Sequence, residues 1–183
     1  LVWIAWRQHP TISRRCSCLS AANMEQGRVL AASHDGAYVI RLVGDVRLTL
    51  CTAMDDFFQH MFEDPEFASV WVDLCDVEGI DSTTLGLLAK LALKVKERFG
   101  FEPAMYSCDP GINRLLKSMA FHRLFELHEE VCNNPDDIAE IPSVKGSEDS
   151  VKQKVIEAHR VLMGISDENR DRFKDLLTAL ERS

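Results

Sequence analysis

Apolar and polar positions fall into short blocks between residues 29 and 141, and the period changes from block to block. Val29–Ser33 and Tyr38–Val43 are apolar runs joined by His34-Asp35-Gly36. Asp-Gly between two such runs predicts a β-hairpin. Gly44-Asp45-Val46-Arg47 closes the second strand. From Leu48 to Phe62 the spacing becomes helical: Leu50 or Cys51, Met54, Phe57 or Phe58, and Met61 recur at three- and four-residue intervals, until Asp64-Pro65 ends the run. Val70-Trp71-Val72-Asp73-Leu74 reads as a buried strand. Asp76–Asp81 is a polar connection, and Leu85, Leu88, Leu91 and Val95 mark the apolar face of the next helix, which Phe99-Gly100 ends. Pro103–Ser107 predicts a strand. Asp109-Pro110 opens a helix with Ile112, Leu115, Leu116 and Met119 inward. Phe121–Phe125 and Leu127 lead into a last short strand, and Asp136–Ile141 is expected to be a short helix. The alternation predicts an α/β fold, a mixed sheet with helices packed on it.

Two segments flank this unit at 24–141. Residues 142–150 read as a linker. In 151–183, Val151, Val155, Ala158 and Leu162 form one stripe and Phe173, Leu176, Leu177 and Leu180 another. They predict a C-terminal helical hairpin, with Gly164 ending its first helix and Ser166-Asp167-Glu168 capping the second. Helices of this length are marginal alone. The hairpin is expected to pack on the core or on a partner; the plainer reading is a stability appendage. Residues 1–23 are expected to be a disordered upstream extension, since Met24 looks like an ordinary start. The apolar run Leu1–Trp6 is too short to span a bilayer, which leaves a small interfacial anchor on Trp3 and Trp6 as the alternative.

Charge narrows the function classes. The 183 residues are 46% apolar and carry a formal net charge of −8. Arg7, Arg14 and Arg15 have no acidic neighbour before Met24, so the acidic excess lies in the rest of the chain. Such a body disfavours nucleic acid as a partner and suits a basic protein surface. The cysteines at 16, 18, 51, 75, 108 and 132 form no metal-binding pattern, and Cys51 and Cys75 sit in apolar surroundings. A reduced, cytoplasmic protein without metal, cofactor or membrane insertion is expected.

Chemistry concentrates at Asp81-Ser82-Thr83-Thr84, where a helix begins at the rim of a sheet. Asp81 and Ser82 are good N-cap residues. A hydroxyl there is either a plain cap or a covalent switch. Phosphate would add about −1.5 to −2 charges beside Asp81, Asp76 and Glu78 and expel a docked partner. No catalytic site is evident: Ser82 has no His or Lys near it in sequence, and Asp55-Asp56 and similar pairs read as solvated charge.

Asp-Ser-Thr-Thr-Leu-Gly-Leu-Leu resembles the D-S-[ST]-G-L-G signature of STAS domains, the anti-sigma factor antagonist family. The likeness runs over about Val29–Ile141 and takes in the Gly44-Asp45-Val46 turn, the VWVDL strand, Asn113-Arg114-Leu115-Leu116 and Phe121–Phe125. It implies a STAS-type mixed sheet with helices packed on it, with no enzymatic activity. It further implies partner switching: the unphosphorylated form binds an anti-sigma factor, and phosphorylation of Ser82 by a serine kinase ends the binding. A phosphatase, or a response regulator with a phosphatase domain, resets the switch. The implied docking rim comprises Asp81, Ser82, Thr83, Thr84, Gly86, Asp45 and Arg47. Gly86 would permit close approach of a partner or of the neighbouring strand.

Two positions depart from the family pattern. Arg47 stands where an Asp is usual; it either attracts the phosphate or the Asp81 carboxylate, or is a solvated surface Arg. Thr84 stands where Gly is usual and adds a third hydroxyl. With the helical tail, these variants look most like pseudomonad members of the family that act in a biofilm and motility switch. STAS domains also serve in lipid-transport ABC complexes and as scaffolds, where Ser82 or Thr83 would contact the transporter ATPase without a phosphate cycle.

Overall fold

The computed structural model describes residues 26–132, 138–144 and 146–182. The expectations for residues 1–23 and the start of the Asp136–Ile141 helix lie outside the described residues.

The chain begins with the predicted hairpin. Strands β1 (Arg28–His34) and β2 (Ala37–Val46) pair antiparallel from His34↔Ala37 to Arg28↔Val43. The two linking residues, Asp35 (φ 48°) and Gly36 (φ 74°), both take the left-handed conformation that such a turn demands. A 3₁₀ turn (Leu48–Leu50) leads into α1 (Cys51–Glu63). Strand β3 (Ser69–Ile80) returns through the core and hands over to α2 (Ser82–Phe99). Then come β4 (Ala104–Tyr106), α3 (Pro110–Ser118), β5 (Glu126–His128) and β6 (Ala139–Glu140). The sheet order is β5-β4-β3-β2-β1-β6. Pairings β2/β3, β3/β4 and β4/β5 are parallel, as crossover helices require, while β1/β2 and β1/β6 are antiparallel.

The hairpin of α4 (Glu148–Ile165) and α5 (Asp167–Arg182) packs on this unit. Leu162 (0% exposed) and Phe173 (7%) join the same core cluster as Leu74 and Leu88. Burying a Leu or Phe side chain contributes about 1.5–3 kcal/mol, so the hairpin is held as part of the fold.

The structure departs from the sequence reading at several joints. β3 extends through the expected polar connection to Ile80, because Asp76, Val77, Gly79 and Ile80 pair with β2 across two bulges. Parallel pairing supplies the backbone partners that overrule the local turn signal. Ala139 and Glu140 are a strand, not helix, because they pair with Leu30 and Ala31 on the open edge of β1. The linker is shorter than expected, since the Ser147 hydroxyl accepts from Ser150 N and starts α4 at Glu148. Gly164 does not end that helix, which runs on to Ile165. Ser166 does cap the next one, through a 3.2 Å bond from Asn169 N.

Candidate functional site

The site is assembled where β3 gives way to α2. Asp81 is extended (φ −89°, ψ 166°), and its carboxylate serves two backbone groups. Oδ1 accepts from Thr84 N at 2.8 Å, capping α2, and Oδ2 accepts from Leu48 N at 2.7 Å, tying the cap to the turn after β2. One side chain thus fixes the two strand ends of the rim against each other. Ser82 follows as the first helical residue, half-buried.

The Ser82 hydroxyl is not free. His159, from α4 and 77 residues away, sets Nε2 at 2.9 Å from Ser82 Oγ. Its other nitrogen, Nδ1, lies 2.7 Å from the Val155 carbonyl. A carbonyl only accepts, so Nδ1 carries the ring hydrogen, and in the neutral ring Nε2 accepts the Ser82 proton. Phe173 of α5 packs edge-on against the imidazole with centroids 5.2 Å apart. His159 is 2% exposed. Sequence reading found no His beside Ser82; folding supplies one. The only sequence signal was its place next to the apolar stripe of α4, four residues after Val155.

A serine donating to an oriented imidazole is the starting geometry of an activated nucleophile. Two small cavities of about 10 Å³, one lined by Met105, Ser107 and His128 and the other by Asp55, Phe58 and Lys94, adjoin neither Ser82 nor His159. Each has room for about one water molecule. α4 reaches Ser82 through His159 and leaves its side chain half-buried.

That packing also relocates other expected rim residues. Thr84 is fully buried, its hydroxyl 3.9 Å from Cys51 Sγ, and Thr83 is 5% exposed. Gly86 lies against α4: a Cβ there would come within 2.5 Å of both Ala158 Cβ and the Ala158 carbonyl oxygen. The close approach expected at Gly86 is therefore made by this chain's own C-terminal helix. Thr83, Thr84 and Gly86, expected on a docking rim, are buried: Thr84 faces Cys51 of α1, and Gly86 is covered by Ala158 of α4. Asp81 and Ser82 keep partial exposure, as does Asp45.

Arg47 turns to Asp45, Nε to Oδ1 at 2.6 Å, with half of its side chain exposed. The Asp45 hydrogen bond and charge, with the more distant Asp81 charge, raise its pKa above the usual guanidinium value. Asp81, one of its expected partners, acts on it only through its charge and is not its ion-pair contact. Burial, reinforced by the Asp81 charge, pushes the Cys51 thiol up to about 12, so it stays protonated inside the core.

A charged clamp holds α4 across α1 and α2. Asp55 of α1, expected as solvated charge, is 6% exposed and binds Lys154 of α4 and, at 3.2 Å, Lys90 of α2. Lys90 in turn meets Glu157 of α4 at 3.0 Å. Burial raises the Asp55 pKa, but the Lys154 and Lys90 hydrogen bonds and charges outweigh it and hold the carboxyl below its usual range. Beyond this site, Cys75 of β3 and Cys108 after β4 form a disulfide, against the expectation of reduced thiols. Adjacent parallel strands bring them together with Cα atoms 4.9 Å apart. Among the described residues no group of three or more His, Cys, Asp or Glu is placed to hold a metal, and no helix is long and apolar enough to cross a membrane.

No protein-family model matches the chain, and no curated protein matches it. Solved structures do. One is the crystal structure of an anti-sigma factor antagonist from Mycobacterium paratuberculosis, with a TM-score of 0.51 and 21% identity over 61% of this chain and 92% of that one. At that identity the shared property is the fold: a STAS-type mixed α/β sheet with helices packed on it.

Proposed function

We propose that this chain is an anti-sigma factor antagonist that works by partner switching through Ser82. The observation carrying the reading is the placement of Ser82. It is the first residue of α2, capped by Asp81, at the strand–helix rim of a fold shared with an antagonist. In the unphosphorylated form the rim binds an anti-sigma factor, and the sigma factor is released. A serine kinase then transfers the terminal phosphoryl group of a nucleoside triphosphate. The Ser82 Oγ–P bond forms, the bond to the nucleoside diphosphate breaks, and the hydroxyl proton passes to a base. About −1.5 to −2 charges arrive beside the Asp81 carboxylate. The positive end of α2 tolerates them, so the fold survives. An interface desolvated around Asp81 does not, and a clash of this kind is worth several kcal/mol. A phosphatase, or a response regulator carrying a phosphatase domain, hydrolyses the ester and restores the rim.

The acidic surface supports a protein partner over nucleic acid. Partners of this class place the work in the cytoplasm. Arg47, Thr84 and the helical hairpin support the narrower reading of a biofilm and motility switch of the pseudomonad kind.

The test is binding of the full chain to candidate anti-sigma factors as wild type, Ser82→Ala and Ser82→Asp. Binding by Ser82→Ala with loss in Ser82→Asp is the expected result. Equal binding by all three reduces Ser82 to a helix cap and favours the transporter or scaffold role.

A further inference from the structure

We propose that the α4–α5 hairpin is a built-in cover over the α2 face that carries Ser82, so that a kinase or binding partner reaching this face must first displace it. The inference rests on reading Ser82 as the switch residue and adds a layer of control to it.

Three contacts seat α4 on α2. His159 Nε2 accepts a hydrogen bond from the Ser82 hydroxyl at 2.9 Å. Ala158 fits the space left by the missing side chain of Gly86. Lys154 and Glu157 close the charged clamp with Asp55 and Lys90. The far end of the hairpin is bound by backbone-directed contacts. Asn169, fully buried, donates from Nδ2 to Met119 O at 3.0 Å and Leu162 O at 3.1 Å, and Arg123 donates to Ile165 O at 3.0 Å. The arrangement is asymmetric. Leu162 anchors the turn end in the core, whereas the stretch over Ser82 combines buried Ile156 and Ala158 and the His159–Phe173 ring contact with a polar set, the Ser82–His159 hydrogen bond and the ion pairs of Asp55 and Lys90. Residues 141–144 and 146–147, which lead into α4, have no regular secondary structure.

Ser82 chemistry and the closed position exclude each other. An esterified Ser82 has no proton to give His159, and the imidazole lies where the phosphate oxygens would go. A kinase therefore acts on the open form, and the product cannot reclose in the same geometry. An anti-sigma factor seated on the α2 face also competes with α4. The closed population then taxes both partners by the same factor.

The test uses the full chain carrying Ser82→Cys, with peptide-resolved alkylation by iodoacetamide. It is measured alone and with two releasing changes: Ala158→Glu, which puts bulk and charge against Gly86, and Lys154→Glu, which faces Asp55 with a like charge. Hydrogen exchange is followed at residues 81–88 and in β2 and β3. The cover predicts that both releasing changes speed alkylation of residue 82 by about tenfold or more, with faster exchange at 81–88 and unchanged protection in β2 and β3. Should Ala158→Glu also lose protection in the strands, Lys154→Glu is the arm that decides. Equal alkylation with and without release overturns the cover. The two proposals fail separately. Faster alkylation together with equal anti-sigma binding by Ser82→Ala and Ser82→Asp keeps the cover and removes the switch; the opposite pair of results keeps the switch and removes the cover.

Discussion

Gly86 and Ala158 meet so closely that a single Cβ on residue 86 would stand 2.5 Å from the Ala158 Cβ. The neighbour also includes backbone, the Ala158 carbonyl oxygen, which cannot rotate away. Ala is the better helix former by about 1 kcal/mol, yet overpacking a tight contact costs about 1–3 kcal/mol. Gly86→Ala is therefore expected to destabilise the docked hairpin, and Gly86→Val more so. Thermal unfolding should show a lower midpoint or an early loss of the α4 signal. Ala158→Gly in the Gly86→Ala background should recover part of the loss. A midpoint raised by Gly86→Ala would show that α4 does not pack here.

The Asp55 clamp makes hairpin docking sensitive to acid. Its carboxyl is held low in the folded chain because the Lys154 and Lys90 contacts outweigh the effect of burial. A group with a depressed folded pKa stabilises above its unfolded value and loses that contribution as pH falls through the folded one. The unfolded reference is about 3.9, so the contribution is complete at neutral pH, begins to fade near about pH 4 and is lost as pH falls through the lower folded value. Hydrogen exchange in α4 should accelerate over that range before the strands respond. Asp55→Asn should flatten this dependence. It should also cost about 1–2 kcal/mol, discounted for the partial exposure of both lysines.

What the sequence disclosed depended on the range of the forces involved. The Asp35-Gly36 turn, the Asp81 cap and the Gly100 end of α2 were legible, because each is fixed by atoms a few residues apart. The extension of β3 to Ile80 was not. Gly79 and the acids around it read as a turn until parallel pairing with Asp45 and Val46 is known. Ala139 and Glu140 likewise became a strand only because β1 left an edge open. At the site, Ser82 and Asp81 were visible from local chemistry, while His159 and Asp55 were not. Their roles exist only once α4 lies across α1 and α2, and no pattern within either helix encodes that contact.

Asp81 should prove more costly to replace than an ordinary cap. Loss of an N-cap side chain costs about 1 kcal/mol. Here the second oxygen also satisfies Leu48 N at 2.7 Å, a part-buried donor left unpaired by Asp81→Ala, which adds about 1 kcal/mol or more. Asp81→Asn keeps one acceptor and should lose less. Urea unfolding of the three chains should rank them wild type, Asp81→Asn, Asp81→Ala. If Ala equals Asn, the Leu48 bond contributes nothing.

The Cys75–Cys108 bridge separates stability from the function proposed above. It closes a span of 33 residues between β3 and the segment after β4. Restricting the unfolded chain over such a loop is worth about 3–4 kcal/mol. The bridge lies on strands already paired in parallel at Trp71↔Ala104 through Asp73↔Tyr106, so the reduced chain retains its sheet. It makes no contact with Asp81, Ser82 or His159 in the hydrogen-bond network of the site. A reductant should therefore lower the unfolding midpoint of the wild type and leave Cys108→Ser unchanged. Anti-sigma factor binding should respond to neither, which fits a switch working among reduced thiols. Free-thiol counting before and after reduction fixes the state of the pair. Binding that disappears on reduction would instead couple the bridge to the rim through β3, and make the oxidation state of Cys75 an input to the switch.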